Sequence, residues 1–115
     1  MILKRQQRLD MLVREVEIMK SINHENLVNM LDCFLEENIP EPKMTIAMEL
    51  MAGGCLTDVV VYIALLDPQI SYILVRCLKG LEFMHESLII HRDLKSDNVL
   101  LCIFYALGYI FEKNY

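Results

Sequence analysis

The stretch HRDLKSDNVLL, residues 91 to 101, sets Asp93, Lys95 and Asn98 between two apolar runs. Each of the three side chains can do a separate part of one reaction. A carboxylate can orient a hydroxyl and take its proton, an ammonium can neutralise charge on a phosphoryl group, and an amide oxygen can hold a magnesium ion. Such chemistry depends almost entirely on positioning and electrostatics, so fixed offsets on one short loop suit it. A surface turn would account for the polarity of the stretch but not for those offsets.

The flanking sequence must hold that loop in place. Leu9, Leu12, Val13, Val16, Met19 and Ile22 recur at steps of three and four, which predicts a helix ending near Asn23 and His24. LVNMLDCFL then reads as a strand, although Asn29 and Asp32 interrupt its apolar face. EENIPEPK reads as a turn and MTIAMEL as the second strand of a hairpin. Gly53 and Gly54 allow backbone angles that other residues resist and by themselves say no more than a linker would, with a helix restarting at Leu56.

A long helix follows, with Asp67 as its N-cap and Pro68 in its first turn. Its stripe is Ile70, Ile73, Leu74, Cys77, Leu78, Leu81, Met84 and Leu88, and Gly80 within it points to close packing. LIIHRDLKSDNVLL then reads as short strand, polar loop, short strand.

Composition narrows the partners. A chain of 115 residues makes one domain at most, and 55% apolar content implies a core that wants more protein around it. A net charge of −5 without a basic run excludes nucleic acid as a natural partner. Cys33, Cys55, Cys77 and Cys102 lack paired spacing, so they read as reduced cytosolic thiols rather than zinc ligands or disulfides. The charged N-terminus lacks the apolar middle of a signal peptide, and VLLCIFYALGYIF falls short of the roughly 20 residues that span a bilayer.

The 91–101 stretch resembles the catalytic loop of eukaryotic protein kinases, in which His-Arg-Asp is followed by a few residues, then Asn and an apolar strand. Lys95, two places after Asp93, is similar to the serine/threonine form. By this resemblance Asp93 is the catalytic base, Lys95 touches the transferred phosphate and Asn98 binds metal. REVEIMKSINHENLV resembles the family's αC helix and the strand after it, with Glu15 in the place of the ion-pairing glutamate. MTIAMEL resembles the strand that leads into the hinge, which makes Met48 the gatekeeper and positions the backbone from Glu49 to Met51 to bond adenine. MAGGCLTDVV and RCLKGLEFMH are similar to the p21-activated branch of the sterile-20-like group. Taken alone, Glu15 reads as a solvated helix charge, Met48 as core and Asp58 as an ordinary acid of a first helical turn.

The resemblance implies an α+β fold, a partial protein-kinase fold comprising the αC helix, the last strands of the small lobe, the hinge, the αD and αE helices and the catalytic loop. It implies ATP and Mg2+ as cofactors, protein substrates presenting Ser or Thr, and a cytoplasmic setting. It also implies regulation by a small GTPase through regions absent here. Arg92 resembles the arginine that pairs with an added phosphate in the activation segment, and His91 a packing residue.

The departures carry expectations of their own. No glycine-rich loop precedes the αC-like helix, and Lys4 lies too close to Glu15 to be the phosphate-binding lysine. No aspartate follows Asp97, so the family's second metal carboxylate is missing from this chain. Residues 1–101 read as a partial kinase domain and 102–115 as a divergent apolar tail. The expected function is that of a serine/threonine kinase fragment moving the γ-phosphate of ATP to protein hydroxyls; the alternative is a truncated, inactive kinase-like protein that binds partners. The chain by itself is expected to show no kinase activity, and its first helix to expose Val13, Val16 and Met19.

Overall fold

A computed structural model of the chain describes residues 2–38, 40 and 43–102. The Lys4 side chain and the tail beyond Cys102 lie outside the described residues. The chain divides into two compact units, Met1–Glu49 and Leu50–Tyr115.

In the first unit, helix α1 spans Ile2–Ser21 and strands β1, Met30–Glu36, and β2, Lys43–Met48, form an antiparallel hairpin. The Ser21 hydroxyl turns back to the Ile18 carbonyl at 2.7 Å, which helps end the helix. The polar interruptions of β1 have a structural cause. A bulge between Met30 and Asp32 resets the pleat, after which Cys33 and Leu35 are half-buried opposite Ile46 and Met44. Asp32, Phe34 and Glu36 take the exposed face, where Glu36 pairs across to Lys43.

Helix α1 packs on β1, so the expected apolar patch is corrected at Val16 and Met19 and stands at Val13. Val16 and Met19 are half-buried, whereas Met11, Val13 and Ile18 are exposed.

In the second unit, β3, Gly54–Cys55, pairs antiparallel with β4, Leu100–Leu101. Helices α2, Leu56–Tyr62, and α3, Asp67–Glu86, lie between them in sequence. The buried apolar side chains among the described residues are Ile73, Met84 and Leu101. Gly80 is buried too, in keeping with the close packing that its place in the stripe implied. Leu74 and Leu78 stay exposed, so much of the α3 stripe remains uncovered.

Both ends of α3 differ from expectation. Leu66, not Asp67, is the N-cap: its backbone is extended, and its N–H donates to Gln69 Oε1 at 2.8 Å. Its carbonyl accepts the N–H groups of Gln69 and Ile70, so the first turn is closed by backbone while the Gln69 amide takes the Leu66 N–H.

At the other end Leu88 is not the last residue of the stripe. Its N–H donates to His85 O at 3.0 Å and the Ile89 N–H to Met84 O at 2.8 Å, a Schellman closure with Leu88 in the left-handed position at φ 60°. The strand expected at 88–90 is not formed, because those residues pair with no strand among the described residues. Leucine is costly at positive φ, and this side chain is 94% exposed, so it gains nothing by packing. Leu88→Gly is expected to stabilise the fold by about 0.5–1 kcal/mol, measured by urea unfolding. A loss of stability would refute the strain.

Candidate active site

The polar loop of residues 91–99 lies in the second unit, immediately before β4. It turns sharply at Arg92, whose φ of 67° is unusual for a residue with a side chain. The Asp93 N–H donates to His91 Nδ1 at 3.2 Å, so His91 supports the backbone at this turn, consistent with a structural role.

Asp93, Lys95 and Asn98 converge. Lys95 Nζ lies 3.5 Å from Asp93 Oδ1, and Asn98 Nδ2 donates to Asp93 O at 2.8 Å and to Asp93 Oδ2 at 3.3 Å. Both members of the ion pair are more than half exposed, so it orients the side chains more than it stabilises the fold. The geometry leaves the lysine beside the carboxylate and turns the amide nitrogen of Asn98 inward. Its Oδ1 is therefore the atom left to face a cation.

Asn98 ends a 3-10 turn, Ser96–Asn98, closed by its own N–H donating to Lys95 O at 2.9 Å. Oxygen donors of this kind suit a hard cation such as magnesium. No group of three or more His, Cys, Asp or Glu gathers as a metal cage among the described residues. Asn98 thus fits as one ligand of such an ion rather than as a whole site.

Three features unread in the sequence hold the loop. The Leu56 N–H donates to Val99 O at 2.8 Å, the Thr57 and Ser96 hydroxyls share a hydrogen bond of 2.7 Å, and the Gly53 N–H donates to Leu101 O at 2.7 Å. A Cβ on Gly53 would meet Leu101 O at 2.6 Å and Cys102 O at 2.9 Å. Gly53 is therefore no linker but the point where the chain before α2 lies against the strand after the loop. The adjacent glycines were the one hint; nothing in the sequence marked Thr57 or Ser96.

The remaining candidates lie elsewhere. Glu15 is exposed on α1, and Met48 ends β2 half-exposed, paired with Met30. The Glu49 N–H donates to Asn29 O at 3.1 Å, and its Oε1 accepts the Asn29 N–H at 3.1 Å. Any bond from Glu49 to a base thus falls to its carbonyl. In the second unit Met51 O accepts the Gly54 N–H at 3.0 Å, so any bond from Met51 to a base falls to its N–H.

Comparison with known proteins gives the family. The protein kinase domain model matches residues 2–103. The chain is 44% identical over 101 residues to serine/threonine-protein kinase max-2 of Caenorhabditis elegans, covering 88% of the chain and 15% of max-2. It is 40% identical over 109 residues to serine/threonine-protein kinase CLA4 of Saccharomyces cerevisiae, covering 88% of the chain and 13% of CLA4. With serine/threonine-protein kinase pakB of Dictyostelium discoideum the identity is 40% over 99 residues, covering 84% of the chain and 11% of pakB. The chain therefore spans well under a fifth of the length of these relatives.

Proposed function

The chain belongs to the protein kinase domain family, and from that premise we propose that it is the middle of a serine/threonine kinase domain whose loop 91–99 moves the γ-phosphate of ATP to protein hydroxyls. The observation that carries the reading is the convergence of Asp93, Lys95 and Asn98 within hydrogen-bonding and ion-pairing reach. Asp93 would orient the substrate hydroxyl and accept its proton, and Lys95 would lie against the phosphoryl being transferred. Asn98 would present Oδ1 to Mg2+, which when bound supplies neutralisation of phosphate charge.

In the same reading Glu15 is the ion-pairing acid of the αC-like helix α1, Met48 the gatekeeper, and the Glu49 carbonyl and Met51 N–H the groups that hold adenine. The similarity to pakB and to CLA4 supports a place in the p21-activated branch of the sterile-20-like group, hence control by a small GTPase through regions outside this chain and a cytoplasmic setting. Among the described residues no helix is long and apolar enough to cross a membrane.

The test is to read transcripts of the locus on both sides of residues 1–102 and assay the longest in-frame product on a basic protein substrate. The expected result is a product carrying a glycine-rich loop, a phosphate-binding lysine and Asp-Phe-Gly that labels Ser or Thr. A product that lacks these elements and transfers no phosphate would overturn the reading in favour of an inactive, partner-binding relative.

A further inference from the structure

We infer that Thr57 is a positioning residue for the metal-facing amide of Asn98, acting through the hydroxyl of Ser96. The inference rests on the proposed role of the loop and extends it to a residue 39 positions away in sequence.

The 3-10 turn that carries Asn98 is three residues long, and such turns are weakly held by their own bonds. Its internal bond from the Val99 N–H to Ser96 O is long, at 3.3 Å. Its place is set from outside, by the first turn of α2, which grips it at both ends. Past the turn, the Leu56 N–H holds Val99 O at 2.8 Å, and the Cys55–Leu100 pairing continues the grip along β4. Before it, the Thr57 and Ser96 hydroxyls meet at 2.7 Å.

The two grips differ in kind. The later one is made by backbone and survives any side-chain change, whereas the earlier one hangs on a single pair of hydroxyls. Without the Thr57 hydroxyl the start of the turn keeps its own 2.9 Å bond from the Asn98 N–H to Lys95 O but loses its side-chain tie to α2, while its end stays fixed, so the turn pivots about Val99. Asn98 lies between the pivot and the released end. Its Nδ2 bond to Asp93 O at 2.8 Å then loosens, and with it the aim of Oδ1. Ser96 is exposed, so water replaces the lost partner and the fold is little disturbed. Positioning and stability therefore separate.

The test uses the full-length in-frame kinase. Mn2+ binding is titrated by the electron paramagnetic resonance signal of the free ion, with an ATP analogue whose terminal bridge cannot be cleaved. Thr57→Val is expected to weaken Mn2+ about threefold to tenfold, the size of one ordinary hydrogen bond, with an unchanged thermal midpoint. Thr57→Ser should restore the parent value. Ser96→Ala should match Thr57→Val, and the double variant should lose no more than either. In turnover the same variants should lower kcat without raising the KM for the protein substrate. Parent-like Mn2+ binding by Thr57→Val, alongside weakened binding by Asn98→Ala, would overturn the inference alone. Parent-like binding by Asn98→Ala would overturn the metal role of the loop and this inference with it.

Discussion

Replacing Asp93 by asparagine in the in-frame kinase is expected to lower kcat by about 10³-fold, with the KM for ATP nearly unchanged. The replacement is nearly isosteric, and the backbone carbonyl of residue 93 would still accept from Asn98 Nδ2, as it does at 2.8 Å. The amide oxygen at the new side chain could also keep the weaker 3.3 Å contact. What disappears is the charge that draws Lys95 Nζ to 3.5 Å and the basicity that takes a proton. A positioned base contributes about 10²–10⁴-fold, and an interaction made only in the transition state shows in kcat rather than KM. A steady-state assay with ATP and protein substrate varied separately decides the matter. Residual turnover within tenfold of the parent would remove Asp93 from the chemistry.

The second large effect is structural. Gly53→Val should destabilise the chain by about 2–4 kcal/mol, measured by urea unfolding, from overpacking against backbone together with a weakened hydrogen bond. The new Cβ would stand 2.6 Å from Leu101 O and 2.9 Å from Leu101 Cβ, and most of what it meets is main chain, which cannot rotate away. The 2.7 Å bond from the Gly53 N–H to Leu101 O must stretch as β4 moves. Because only Val99 separates Asn98 from β4, catalytic loss should accompany the loss of stability. Gly54→Ala is the control: its Cβ meets nothing within 4 Å, so only the strain of φ +71° is felt, about 1 kcal/mol. Equal losses at the two glycines would refute the close-approach argument.

How far each feature could be read from the sequence follows from the distance over which its cause acts. The catalytic loop was legible because its parts lie two and five residues apart, so one short turn brings Asp93, Lys95 and Asn98 together. Helix α3 was legible for the same reason, since a period of 3.6 is a local consequence of helix geometry, and the β1–β2 hairpin was legible from two short apolar runs around a proline-rich turn. Helix ends were less so: a leucine with no capping side chain took the N-cap of α3 in place of the expected aspartate, and another leucine took a place that glycine usually fills.

The sequence by itself determined which polar groups the loop carries, because residues on one loop keep their order and spacing whatever surrounds them. Only the tertiary structure decided what holds that loop. Gly53 against Leu101, Leu56 against Val99 and Thr57 against Ser96 are contacts between residues some forty positions apart. They exist only after α3 has closed the intervening chain, and no local pattern selects one hydroxyl to meet another across such a closure.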